Sequence, residues 1–343
     1  MPLTKPFVTQ YDIAAKLGIG QKTVSRALSG DATVAPELRD RILAASKKLG
    51  YRPNQSARSV RSRRFDNIML LQIVARSHHR LVPGLLDGVS DELGKHGFSL
   101  TMQRLVVAEF VTGGLVPRGL HEVMVDGMLV HVDAEPTHEL EQLVRDCGVP
   151  VVWINRLQAA DAARPDDRQA GRLMAERLLQ AGHRKLAWFD GIMGCPGDDA
   201  VHYSRHERFA GFQEACVEAR VAARLISPVH DVPDLAQWLS EQLRATMPTA
   251  LATYGEREAL TALYAALTPL QWRIPADLSL ITAHHQSLVA GIRIEVCRIP
   301  TVETGAAAAQ LLLQRMASTK SCPSHVVPCD IVAGASVQTI GKS

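Results

Sequence analysis

Residues 9–30, TQYDIAAKLGIGQKTVSRALSG, decide what the amino end of this chain is. Ile13, Ala14 and Leu17 fall at i, i+1 and i+4, one face of a short amphipathic helix that Gly18 stops. Thr9 with Asp12 three residues on has the form of a capping box, with Asp where Glu is commoner. A second helix, Gln21 to Leu28, begins two residues after that stop and ends before Ser29-Gly30. A third opens at Pro36, suited to a first turn, and carries Leu38, Ile42, Ala45 and Leu49 on one face before Gly50. Two helices joined by so short a turn and braced by a third predict a helix-turn-helix.

In the second helix, Gln21 with Ser25 and Lys22 with Arg26 form i,i+4 pairs on adjoining stripes, while Val24 and Leu28 turn toward the small core. Arg and Lys donate to guanine and Gln matches adenine, so this is a face able to read base edges. On an isolated helix it would be an ordinary solvated face. Its charge setting favours the reading face: residues 1 to 65 hold 13 Lys and Arg against 4 Asp and Glu, and the rest of the chain holds 25 against 31. A basic module on an acidic body suits a phosphate backbone, which releases counterions for each cation it meets.

The chain has 343 residues, 46% hydrophobic and 21% charged, enough to bury a core and divide into two or three domains. No apolar run reaches the ~18 residues of a bilayer span, and Met1 to Val8 lacks a signal-peptide stretch, so a cytoplasmic protein is expected. Cys147, Cys195, Cys216, Cys297, Cys322 and Cys329 make no C-x-x-C pair and read as small core or loop residues, not as a disulfide framework or zinc knuckle. No G-x-S-x-G elbow, phosphate loop or dinucleotide fingerprint is present, so neither an enzyme nor a cofactor is expected, and the adjacent histidine pairs lack metal-site spacing.

Tyr51 to Phe65 contains Pro53, Asn54 and five arginines, with Val60 as the one bulky core former between its aromatic ends, a linker by composition with room for a marginal helix from Asn54. After Asp66 β-rich runs alternate with helical ones: Ile68–Val74, Leu81–His96, Phe98–Met102, Met128–Val132, His138–Cys147, Val149–Ile154. A second set comprises Arg172–Ala181, Lys185–Phe189, Glu207–Arg220, Ala250–Thr253, Glu256–Leu267 and Leu278–Thr282. Such alternation predicts parallel doubly wound sheets, and the length predicts two lobes with a cleft between them.

Val8-Thr9-Gln10-Tyr11-Asp12-Ile13-Ala14, Thr23-Val24-Ser25-Arg26-Ala27-Leu28 and Leu49-Gly50-Tyr51-Arg52-Pro53-Asn54 resemble the headpiece of the lactose-repressor (LacI/GalR) family of bacterial transcription regulators. The resemblance implies that Gln21 and Lys22 choose operator bases, that Arg26 adds a major-groove contact, and that Thr23 and Ser25 touch phosphate. It extends the DNA-contact set to Thr9, Tyr11, Asn54, Ala57 and Arg58. It also implies a hinge helix that forms when two subunits meet on DNA, with Val60 where the family wedges a leucine into the minor groove. Valine is shorter and stiffer, so a shallower wedge is expected, among Arg58, Arg61, Arg63 and Arg64.

Beyond the headpiece, Gly148-Val149-Pro150-Val151-Val152, Asp166-Asp167 with Gly171, Gly182 to Ala187 and Arg208-Phe209-Ala210-Gly211-Phe212 fall in the family's order. They imply a periplasmic-binding-protein-like core with three chain crossovers and a ligand in the interlobe cleft. Arg208 and Asn155 stand at effector-contact positions. Tyr254-Gly255 and His284-His285 replace the family's Asn-Asp and Asp-Asp pairs. His78, His79 and Arg80 follow the first strand, His131 ends another, and Arg205, His206 and Arg208 cluster before a helix. Donors without nearby acceptors favour an acidic or phosphorylated sugar. A neutral carbohydrate held by other contacts, and a pocket with no physiological ligand or with a protein partner, stay open.

The expected organisation is an all-α headpiece over 1–52, a hinge over 53–65 and an α/β core over 66–343. Its first lobe is expected at about 66–157 and 298–327, its second at about 158–297 and 328–341. The expected function is a ligand-responsive, sequence-specific regulator, usually a repressor in this family, acting as a homodimer on a near-palindromic operator. No heptads follow the last strand, so a coiled-coil tetramer is not expected. The competing reading is a small-molecule binding protein without DNA regulation.

Overall fold

The computed structural model describes residues 8–52, 64–74, 81, 83–114, 116–117, 120, 122, 124–133, 136–190, 202–228, 232–254, 257–284, 288–289, 292–318 and 320–341. The chain forms two compact units, Met1–Phe65 and Asp66–Ser343.

The first unit is helical: α1 (Gln10–Leu17), α2 (Gln21–Leu28) and α3 (Pro36–Leu49). Both arms of the capping box at Thr9 and Asp12 are made, satisfying donors that a helix start leaves bare. Gly18 takes φ 66°, a left-handed turn that only glycine enters without steric cost, and this reverses the chain into α2. Ile13, Ala14, Val24, Ala27, Val34, Ile42 and Ala45 bury one small core, with Leu17, Leu28, Leu38, Leu49 and Tyr51 packed around it.

The second unit holds two lobes, each a six-stranded sheet. Its first half runs β1 (Asn67–Val74), α4 (Pro83–Lys95), β2 (Ser99–Val106), α5 (Val107–Gly113), β3 (Gly127–Val132), α6 (His138–Asp146), β4 (Val151–Ile154) and β5 (Ala162–Pro165). Then follow α7 (Asp167–Gln180), β6 (Leu186–Phe189), α8 (Tyr203–Glu218), β7 (Ala223–Ile226), α9 (Leu235–Thr246), β8 (Ala250–Tyr254), α10 (Arg257–Leu267) and β9 (Ser279–His284). A hairpin of β10 (Leu288–Val289) and β11 (Ile292–Arg293) leads to β12 (Glu295–Arg298), α11 (Thr301–Ala317), β13 (His325–Val327) and β14 (Asp330–Val332).

The first sheet has the order β13-β5-β4-β3-β1-β2, all parallel; the second has β14-β12-β9-β8-β6-β7, parallel except for β14 against β12. Both orders double back from their first strand, which leaves a crevice outside the carboxyl ends of the strands. The chain therefore passes between lobes three times, at 165–167, 298–301 and 327–330.

Two expectations need correction. The first lobe does not stop near 157: Ala162 and Ala163 pair with Trp153 and Ile154 of β4, so the chain adds a strand before it leaves. Likewise Arg298 belongs to β12 in the second sheet, where it pairs with His284, and not to the first lobe. Four-residue strands such as β5 and β7 carry too little periodicity to stand out against loops.

Candidate functional site

Two surfaces carry the candidate residues, one on each unit. On the headpiece, Val24 and Ala27 of α2 are buried, which turns Lys22 and Arg26 outward. Thr23 and Ser25 are half-buried beside them, and Tyr11 of α1 is 72% exposed. Gln21 Nε2 donates to Gln10 Oε1 at 2.6 Å, tying the start of α2 to α1 and fixing where its amide points. Among the described residues Arg26 has a loose partner, Asp31 at 3.8 Å, which leaves its guanidinium able to turn to a stronger acceptor. Gly20 places no side chain over the first turn of α2, leaving N–H groups of the kind that bind phosphate. Asn54, Ala57, Arg58 and Val60 lie outside the described residues.

On the core, strand ends bring together residues far apart in sequence. His131 lies near the end of β3, Asn155 just past β4, Tyr254 at the end of β8 and His284 at the end of β9. Arg208 projects from the second turn of α8, buried, with its guanidinium carbon 4.5 Å from the centre of the Tyr254 ring. Its Nε and Nη2 both donate to Oδ1 of Asp167 at 2.7 Å, and Asp167 is itself fully buried at the start of α7. Burial works against the Arg208 charge, but Asp167 and Tyr254 outweigh it and hold the guanidinium above its ordinary pKa. Among the described residues, Oδ2 of Asp167 and Nη1 of Arg208 lack hydrogen-bond partners, leaving one buried acceptor and one buried donor on a single ion pair.

Among the described residues, three of the cations expected in the cleft lie against carboxylates: Arg208 on Asp167, Arg205 on Asp190 and His131 near Asp133. Arg205 donates to Asp190 at 2.8 Å, and His131 Nδ1 sits 3.6 Å from Asp133, whose other oxygen accepts from Gln72 Nε2 at 2.8 Å. Burial pushes the His131 imidazole below its usual pKa, against the pull of Asp133. Nor do Arg205, His206 and Arg208 precede a helix: α8 starts at Tyr203, so all three lie on it. Ser204 and Arg208, four residues apart, face inward, whereas His206 is exposed. His79, Arg80 and His285 lie outside the described residues.

Two residues absent from the sequence reading join the site. His202 caps α8: its Nδ1 accepts from the Ser204 N–H at 3.3 Å and lies 2.8 Å from the Ser204 hydroxyl. Its Nε2 donates at 2.9 Å to the carbonyl oxygen of Asn155, which belongs to the other lobe. The Tyr203 ring packs 4.6 Å from His202, centre to centre, and its hydroxyl donates to Asn155 Oδ1 at 3.5 Å. Burial raises the Tyr203 pKa and lowers that of His202. Asn155 itself takes φ 62°, a conformation asparagine tolerates better than most residues, and anchors its amide on the Val132 carbonyl at 3.2 Å. Outside this cluster, a cavity of ≈ 600 Å³ opens in the second lobe between Tyr264, Trp272, Pro275 and Arg293, and none of the candidate ligand residues lines it.

Family models match two segments: residues 9–54 match the bacterial regulatory proteins of the lacI family, and 175–337 match the periplasmic binding protein-like domain. The chain is 26% identical over 332 residues to the HTH-type transcriptional regulator CelR of Thermobifida fusca, covering 92% of this chain and 94% of that protein. It is 27% identical over 324 residues to the HTH-type transcriptional repressor PurR of Vibrio atlanticus (strain LGP32), covering 90% and 92%. The fold resembles that of the lac repressor dimer bound to operator and the anti-inducer ONPF, with TM-score 0.77 at 18% identity over 97% of this chain and all of that one. A CelR–cellobiose complex superposes with TM-score 0.63 at 24% identity, covering 97% and 100%.

Proposed function

The chain belongs to the lacI family of bacterial regulatory proteins, and from that premise we propose that it represses transcription in the cytoplasm as a homodimer whose grip on an operator answers to a neutral, hydroxylated ligand. It is a ligand-responsive, sequence-specific DNA-binding regulator. No turnover is assigned to it; its relatives are regulators.

In this reading Gln21, Lys22 and Arg26 meet base edges, while Thr9, Tyr11, Thr23 and Ser25 hold the backbone. The linker residues Asn54, Ala57, Arg58 and Val60 complete the interface through the minor groove. One headpiece exposes too few contacts for specific binding, and two joined through their cores gain effective concentration, hence the homodimer. The hinge falls to 53–65, and the lobes meet through the three crossovers.

The observation that carries the ligand class is the Asp167–Arg208 pair. Its unpartnered oxygen accepts and its unpartnered nitrogen donates, which is what one sugar hydroxyl requires, since it donates and accepts at once. An anion would satisfy Arg208 but would face the Asp167 carboxylate. His131, Asn155 and Tyr254 then line the remaining ring positions, with Tyr254 offering an aromatic face; His79, Arg80 and His284 are proposed as further ligand contacts. A structural neighbour, the transcriptional regulator CelR, forms a complex with cellobiose, a neutral hydroxylated sugar. Footprinting of the DNA upstream of the gene, with and without a panel of neutral and acidic mono- and disaccharides, tests both halves. Protection relieved by a neutral sugar is expected; relief by acidic sugars alone refutes the ligand class, and no salt-sensitive protection refutes the DNA reading.

A further inference from the structure

The second lobe meets Asn155 of the first through its main chain as well as its side chain. Asn155 takes φ 62°, and this left-handed turn carries its carbonyl out of the sheet: its N–H still donates to the Ala163 carbonyl of β5, while its own carbonyl accepts from His202 Nε2 at 2.9 Å. A main-chain carbonyl can only accept, so Nε2 carries the hydrogen. The imidazole is held for this bond from two sides, by the Tyr203 ring 4.6 Å away and by Nδ1 against the Ser204 N–H and hydroxyl at 3.3 and 2.8 Å. A donor fixed in advance loses little side-chain freedom when its bond forms. The Asn155 amide makes separate contacts, donating to the Val132 carbonyl at 3.2 Å and accepting from the Tyr203 hydroxyl at 3.5 Å. We propose that His202 is a positioning residue that latches the two lobes together without ligand, through its Nε2–H on the Asn155 main-chain carbonyl.

The three crossovers tie the lobes by chain, and rotation about them leaves the angle between lobes free. A hydrogen bond from the start of α8 in one lobe to the end of β4 in the other takes up that freedom. One such bond moves a two-state balance by about fivefold, enough to bias the lobe angle without locking it. A ligand bridging the same lobes then adds to that bias or works against it, according to which angle it binds better. The latch and the ligand contacts fall on different atoms: the latch uses the main chain of Asn155 and the side chain of His202, whereas the proposed ligand meets the Asn155 amide. The latch therefore depends on the interlobe contact alone and holds whatever ligand the cleft takes, so its failure would leave the ligand reading intact.

The test uses the full chain, free of ligand, carrying paired spin labels on non-natural amino acids at Met124 in the first lobe and Met247 in the second, both exposed. Excess unlabelled chain keeps the measured distances within one protomer. Double electron–electron resonance on the wild type is expected to give mainly the lobe spacing of the structure. H202S keeps a hydroxyl to cap α8 but is too short to reach Asn155, and should raise the open-to-closed ratio about fivefold. H202Q carries an amide N–H about as far from the main chain as Nε2 and should return the wild-type distribution. N155G keeps the carbonyl and enters the left-handed turn freely while losing the amide, so it should stay closed. An H202S distribution matching wild type, an H202Q distribution as open as that of H202S, or an opening in N155G as large as in H202S overturns the proposal. Should H202S fail to fold, H202D, which also caps the helix and donates nothing, takes its place.

Discussion

Replacing Arg208 by methionine should cost more than any surface change in the core. Asp167 is fully buried, and both of its described hydrogen bonds come from Arg208 through a single oxygen. Arg208→Met leaves that carboxylate in the interior with no counter-charge, a situation that costs about 3–5 kcal/mol. At about 2–4 °C per kcal/mol, the core should melt roughly 6–20 °C lower. The aromatic face of Tyr254, 4.5 Å from the lost guanidinium, still packs against the methionine, so the loss is electrostatic and not steric. Replacing both partners, Arg208→Met with Asp167→Leu, removes the stranded charge and should return stability to within about 1 kcal/mol of wild type. Ligand response should stay absent in the double variant, because the donor and acceptor that meet a hydroxyl are both gone. Differential scanning calorimetry of the four proteins, with sugar-dependent DNA release on the same samples, reads both effects. A single variant as stable as wild type, or a double variant no more stable than the single, would refute the account of this pair.

On the headpiece, Lys22→Ala should weaken operator binding by about 1–3 kcal/mol and relax base preference at one position per half-site; a uniform loss with a shallower salt slope would make Lys22 a phosphate contact instead. Fluorescence anisotropy over a salt series on operator variants distinguishes the two. Gly171→Ala would drive a Cβ into the Arg208 carbonyl oxygen and should destabilise the core by at least ~1–3 kcal/mol, read as a lower denaturation midpoint. Gly94→Ala, where nothing lies within 4 Å, serves as control and should be neutral or stabilising.

The headpiece was almost wholly legible because its rules are local: a capping box closes over three residues, and a 3.6-residue stripe is visible within eight. Strands β1, β3 and β9 were legible as continuous apolar runs, the mark of strands covered on both faces. What was not legible depends on distance. Arg208 and Asp167 are separated by 41 positions and Arg205 and Asp190 by 15, and nothing in sequence marks them as partners. Arginine and histidine were counted without their carboxylates; Arg205, Arg208 and His131 each lie against one. His202 was missed for a local reason. The helix was expected from Glu207, four residues after its actual start at Tyr203, so its cap fell outside the expected element.

The close approach of helices says where motion can and cannot occur. In the second lobe Gly171 of α7 and Gly211 of α8 each lie against the other helix's backbone, and a Cβ at either would overlap a carbonyl oxygen. In the first lobe Gly88 of α4 and Gly305 of α11 make the same kind of crossing, against Val302 and Leu85. Packing this tight cannot deform by small increments, so each lobe responds to a ligand as a rigid body. Strain from the cleft is therefore taken up at 165–167, 298–301 and 327–330. Asp167 closes one of these segments, and in another the Cys329 N–H donates to the Gln169 side-chain carbonyl oxygen at 2.9 Å. The Asp167–Arg208 ion pair proposed to meet the ligand thus adjoins a crossover. If the proposed hydroxyl contacts hold, a ligand drawing Asp167 and Arg208 together with Asn155 should change the angle between lobes directly, without a relay through either core.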